Sequence, residues 1–192
     1  MSKVSSSQLV LDAAYRCFCR NGFRRTTVSD IVDETGMSRP TVYKYAGSKE
    51  EAITKVVRSL LERAREAARE AAEAAGTPEE KILAVLTVKL EVAIRLWQDS
   101  PAHAAELLSA ATAQAPGLVT EYTDRLAELL VAALSGIAPD TAKQAAAVLL
   151  TFTRGLEEDL RDADAVRHEL RTGTRMITRG ALARPVPSRP GH

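Results

Sequence analysis

Aromatic residues are scarce in this chain: three Phe, four Tyr and one Trp among 192 residues. Strands draw on aromatic and β-branched side chains, whereas 32 of these residues are alanine, the strongest helix former. An all-α fold is therefore expected. Cysteine is nearly absent, and the two that occur, Cys17 and Cys19, would point about 200° apart on a helix. That divergence excludes a mutual disulfide and a zinc ladder, leaving ordinary thiols of a reducing compartment. Long apolar runs are missing as well: the longest, Leu129 to Leu134 and Ala145 to Leu150, have six residues, against roughly 20 needed to cross a bilayer. Met1 to Ser7 carries one lysine and no apolar stretch before Leu9, so no secretory leader is expected and the cytoplasm is the expected location. No nucleophile–base pair, H-E-x-x-H spacing or Gly-rich phosphate loop occurs. His103, His168 and His192 lie far apart in the chain. No enzymatic activity, metal or cofactor is expected.

Charge is almost balanced, at net +1, but unevenly spread: up to Leu60 there are ten Lys/Arg against six Asp/Glu, and beyond it 16 against 19. The basic part is N-terminal, which is where a polyanion would be met.

Gly, Pro and capping residues divide the chain into about nine helices. Ser5-Ser6-Ser7-Gln8 opens the first, whose apolar positions Val10, Ala13, Ala14, Cys17 and Phe18 recur at three and four and which Asn21-Gly22 should stop. Thr27-Val28-Ser29-Asp30 is a capping box for a short second helix ending at Thr35-Gly36. Ser38-Arg39-Pro40-Thr41 opens a third, with Pro40 in the first turn, where its missing N–H does no harm. Behind Ser48-Lys49-Glu50-Glu51 a long fourth helix runs over 49–75 without Gly or Pro. Thr77-Pro78-Glu79-Glu80 starts the next, with an expected apolar stripe of Leu83, Leu86, Leu90, Ala93, Ile94 and Trp97. Further breaks fall at Ser100-Pro101, Ala115-Pro116-Gly117, Gly136 to Asp140 and Asp162 to Asp164. Residues 184–192 carry three prolines and read as a flexible tail.

The second and third helices, joined through Gly36-Met37-Ser38, have the layout of a helix-turn-helix. From Arg39 to Tyr45 the third helix offers a guanidinium, a hydroxyl at Thr41, phenols at Tyr43 and Tyr45 and an ammonium at Lys44, with only Val42 apolar. Such a face suits phosphate oxygens and base edges. Phe18, Val28, Ile31, Val32, Met37 and Val42 are the expected core beneath it. Two readings stay open on these residues alone: a DNA-binding wedge, or a helical protein-interaction module in which the helix pair is only scaffold.

From Val10 to Ile53 the chain resembles the N-terminal domain of the tetracycline-repressor-like (TetR) family of bacterial transcription regulators. The resemblance runs without a gap through T-T-V-S-D-I, the G-M-S turn, T-V-Y-K-Y and the closing S-K-E-E. It departs at Ala46, where the family usually has Phe, thinning the expected packing between the third and fourth helices. The resemblance implies a helix-turn-helix DNA-binding domain over 1–50 and a helical regulatory and dimerisation domain over 51–183. It implies DNA contacts from Thr27, Arg39, Pro40, Thr41, Tyr43, Lys44, Tyr45 and Lys49. Thr27 would set its hydroxyl and the helix dipole against a phosphate, and Arg39, Thr41 and Lys44 would reach base edges or adjacent phosphates. Tyr43 matches the family's phosphate-contacting tyrosine. Lys49 would bring an ammonium to the start of the long helix beside the DNA.

The same resemblance implies an effector cavity among the central helices, where Trp97, His103, Tyr122 and Phe152 could orient a hydrophobic or aromatic small molecule. It also implies a homodimer formed through the last two helices, with Ala142, Ala145, Ala146, Leu149, Phe152 and Thr153 on one and Leu170, Thr174 and Ile177 on the other. The function expected is a sequence-specific DNA-binding regulator, a repressor released from a palindromic operator by its effector.

Overall fold

In a computed structural model, which describes residues 5–183, nine α-helices and no strands occur among the described residues. They are α1 Ser6–Arg25, α2 Val28–Thr35, α3 Arg39–Ala46, α4 Lys49–Ala74, α5 Pro78–Asp99, α6 Ala104–Gln114, α7 Pro116–Ala133, α8 Pro139–Leu156 and α9 Ala163–Leu182. The chain divides into two units. The first is the described part of Met1–Arg63 with Arg95–Glu121; the second is Ala64–Ile94 with the described part of Tyr122–His192. The tail expected over 184–192 lies outside the described residues.

Local chemistry sets the boundaries in the first unit. Ser5 caps α1 by accepting the Gln8 N–H. The regular helix ends where Asn21-Gly22 is expected to stop it: Gly22, with φ of 76° and ψ of 162°, is non-helical, and α1 reaches Arg25 only through a further turn beyond that kink. A new turn starts there, and the Thr26 N–H closes it onto the Gly22 carbonyl at 3.2 Å. Gly36, left-handed at φ 64°, ends α2, the conformation glycine adopts without steric cost.

Phe18, Ile31 and Val42 are fully buried at the junction of α1, α2 and α3, while Val28, Val32 and Met37 pack against them half-buried. Leu107 of α6 and Ala115 join the same core, so α6 belongs to the first unit. Glu34 accepts from Arg16 at 2.8 Å and Arg20 at 2.9 Å, tying α2 to α1. These guanidiniums hold its carboxyl below the ordinary 4.5. Both thiols are buried and free.

In the second unit, α5 presents Ile82, Val85, Leu86, Leu90 and Ile94 to the interior, while Leu83 and Ala93 of the expected stripe are only half-buried, as is Trp97 in the end of α5 that belongs to the first unit. Nearly every position from Ile82 to Leu90 is apolar, so periodicity does not fix the phase of this helix. Long-range ion pairs help to fix it: Glu91 grips Arg167 of α9 at 2.6 and 3.0 Å, and Lys89 meets Glu157 just beyond α8 at 2.5 Å.

The residues expected at the subunit interface pack between α8 and α9 within the chain. Ala142, Ala145, Ala146, Leu149, Thr153, Leu170 and Thr174 are buried inside the single chain, and Phe152 and Ile177 are half-buried. These small residues let the two helices approach closely, so the face they form is used within the chain. Gly173 shows how closely: a Cβ there would lie 2.2 Å from the Phe152 ring. What α8 and α9 leave exposed is a different face, including Val148 and Met176.

Candidate nucleic-acid interface

The cap of α2 is a complete capping box. The Thr27 hydroxyl accepts the Asp30 N–H, and the Asp30 carboxylate accepts the Thr27 N–H at 2.7 Å. Thr27 itself is exposed, and its hydroxyl also donates to the Asp30 carboxylate at 2.9 Å, so an anion already sits at the positive end of α2.

Ser38 caps α3 by accepting the Thr41 N–H, and Pro40 sits in the first turn. Burial then sorts the α3 side chains. Val42 and Ala46 are fully buried, Thr41 and Tyr45 are half-buried, and Arg39, Pro40, Tyr43 and Lys44 are exposed. Tyr43 is 52% exposed; it is a surface phenol. One Arg39 nitrogen donates to the Ser29 hydroxyl at 3.2 Å, bridging α3 to α2. The Lys44 ammonium lies 5.4 Å from the Tyr45 ring centroid. The structure thus brings a guanidinium, an ammonium and a phenol to the solvent side of one short helix whose other side is anchored in the core.

Lys49 stands in the first turn of α4 and is half-buried. It donates to the Arg24 carbonyl at 3.2 Å and lies 4.8 Å from the Phe23 ring centroid, a cation–π contact. Its charge is thereby fixed at the junction of α4 with the end of α1.

Three contributors escaped the sequence reading. Arg24 and Arg25, exposed in the last turn of α1, add cations next to Thr27. Their only signal was adjacency to the T-T motif. Lys55 donates to the carbonyls of Tyr45 and Ala46, which end α3; no local pattern points to this.

The four residues expected around an effector are not gathered within one unit. Trp97 and His103 belong to the first, Tyr122 and Phe152 to the second. His103 is the N-cap residue of α6, without a side-chain cap bond. Tyr122 is buried and its hydroxyl has no partner among the described residues. Burial, with a smaller contribution from Glu157, pushes its phenol well above the ordinary range.

Residues 10–53 match the family model described as bacterial regulatory proteins, tetR family. The chain is 30% identical over 153 residues to the HTH-type transcriptional regulator BetI of Rhizobium meliloti (strain 1021), covering 77% of this chain and 73% of that protein. With BetI of Agrobacterium fabrum it shares 30% over 165 residues, covering 85% and 76%. Among solved structures, a putative transcriptional regulator from Pseudomonas aeruginosa PAO1 superposes with a TM-score of 0.74 at 18% identity, over 92% of this chain and 90% of the other. A transcriptional regulator of Aquifex aeolicus VF5 gives 0.66 at 22%, over 90% and 99%. These two likenesses are of fold.

Proposed function

The chain belongs to the tetR family of bacterial regulatory proteins, and from that premise we propose that it is a ligand-responsive repressor that binds a palindromic operator as a homodimer. The observation that carries this reading is the division of α3 into a core side, Val42 and Ala46, and a solvent side of Arg39, Pro40, Tyr43 and Lys44. A rigid helix with a cationic, hydrogen-bonding outer face suits a major groove. Thr41 and Tyr45 flank that face. Thr27, Arg24 and Arg25 supply phosphate contacts beside it, and Lys49 joins its charge to theirs.

A single wedge of this size touches few phosphates, and a second copy doubles the contacts at half-sites about 34 to 36 Å apart or a multiple of that spacing. The exposed Val148 and Met176 of α8 and α9 are the centre of the proposed subunit interface. The effector is a mostly apolar small molecule with one polar group, for which the buried hydroxyl of Tyr122, without a partner among the described residues, supplies the hydrogen bond. The repressor acts in the cytoplasm without a catalytic step; among the described residues no helix is long and apolar enough to cross a membrane. Effector binding would bias the tilt of α4, the helix that begins beside Arg24 at Lys49 and runs to Ala74. A coupling of about 1–3 kcal/mol changes operator affinity roughly 5- to 150-fold.

Selection of bound duplexes from a random-sequence pool tests the reading. Emergence of a palindrome is expected. Failure of the full chain to retain any duplex would leave the helix pair as a scaffold for protein contacts.

A further inference from the structure

We propose that Glu106 is a positioning residue for DNA binding: from the first turn of α6 its carboxylate holds the peptide of Arg24 and so aims residues 24–27 at the phosphate backbone. The inference rests on the DNA-binding reading above and adds to it a residue from outside the helix-turn-helix.

The need for such a residue arises at Gly22. Its non-helical angles end the regular path of α1, and Thr26 is the residue whose N–H closes the new turn back onto Gly22. The first N–H groups of any helical turn lack an acceptor within it, and Arg24 stands in that position. Its N–H donates to Glu106 Oε1 at 2.7 Å. On the other side of the same residue, the Arg24 carbonyl accepts from Lys49 Nζ at 3.2 Å. An anion from α6 therefore holds the N–H while a cation from α4 holds the C=O, both as charge-assisted bonds.

Glycine at 22 makes the approach possible. A Cβ there would lie 2.7 Å from Glu106 Oε2 and 3.2 Å from His103 Nδ1, and φ is 76°. The entry to α6 is fixed independently, because the buried Ser100 hydroxyl donates to the Cys19 carbonyl at 2.9 Å. Thr26 completes the clamp by donating its hydroxyl to the Gly22 carbonyl at 2.7 Å. Directly beyond lies Thr27, the exposed cap of α2, flanked by the exposed side chains of Arg24 and Arg25. An acceptor 82 residues away in the chain thus fixes where the proposed phosphate-contacting segment starts.

The test compares Glu106→Leu and Glu106→Gln with the parent. Each is titrated, over a range of salt, with the duplex that the parent retains most tightly from a random pool, and thermal unfolding is followed in parallel. Leucine removes the acceptor and is expected to weaken binding about ten-fold and to lower the salt slope by about 0.9, one phosphate contact. Glutamine keeps a carbonyl oxygen that accepts the Arg24 N–H, and should stay within about three-fold of the parent. Should the leucine variant fail to fold, Glu106→Asp, one methylene too short to reach, replaces it with the same expected losses. Variants that match the parent in affinity and slope overturn the proposal, and so does a glutamine variant as weak as leucine. A parent that retains no duplex overturns the DNA-binding reading and this inference together, an outcome distinct from variants that bind as the parent does.

Discussion

Lys55 Nζ lies 2.9 Å from the carbonyl oxygen of Tyr45, so the second turn of α4 caps the end of α3. The same ammonium reaches the Ala46 carbonyl at 3.3 Å. The last carbonyls of a helix carry partial negative charge and lack intrahelical donors, and here one cation serves two of them. Ala46 is fully buried. With a small residue at this place, the cation supplies a tie between α3 and α4 in addition to side-chain packing.

Replacing Lys55 by methionine keeps the apolar stem and removes the donor. Stability should fall by about 1–2 kcal/mol, read from urea unfolding. A variant as stable as the parent would show that the end of α3 needs no cation.

Tyr43 offers the opposite contrast, since half of it is exposed and no hydrogen bond of its hydroxyl occurs among the described residues. Tyr43→Phe should leave stability within about 0.5 kcal/mol of the parent while weakening duplex binding about five- to ten-fold. A loss of stability equal to the loss of binding would assign the phenol a structural role.

Glu34 sets an acid limit. Its carboxyl is held below the ordinary 4.5 by Arg16 and Arg20 in the folded chain, so the folded state binds its proton less readily than the unfolded state does. The resulting stabilisation is fully present above the unfolded value and disappears as pH falls through the lowered folded value. The pair is partly exposed to solvent and its contribution is small. Unfolding midpoints of the parent and Glu34→Gln should therefore differ near neutrality and converge in acid. A difference that stays constant with pH would contradict this.

Much of the first unit was legible in the sequence because its signals are short-range. The T-V-S-D capping box, the left-handed Gly36, the Ser38 cap and the Pro40 turn each act within four residues, and each appears where the spacing put it. Contacts that depend on tertiary partners were not legible. The Glu106 acceptor, the Lys55 cap and the α4 tie of Lys49 have no local pattern. The phase of α5 was ambiguous because apolar residues surround the helix there. The small-residue faces of α8 and α9 were legible as packing faces, yet nothing in their composition distinguishes a partner helix in the same chain from one in a second copy.

Gly173 and Phe152 provide a direct check of that internal packing. Gly173→Ala should destabilise the chain by about 1–3 kcal/mol through overpacking, against a gain of up to about 1 kcal/mol in helix propensity. In a Phe152→Leu background, which opens space at the ring, the same alanine should become neutral or stabilising. If both backgrounds respond alike, the close approach of α8 to α9 is not what requires glycine.

The salt dependence of duplex binding, measured for the parent and for Lys44→Ala on the selected duplex, tests the role of the α3 face most directly. The expected result is a linear fall of log affinity with log salt at about 0.9 per neutralised phosphate, reduced by about one contact in the variant. A flat salt response, or a Lys44→Ala variant that binds with the affinity and slope of the parent, would contradict it.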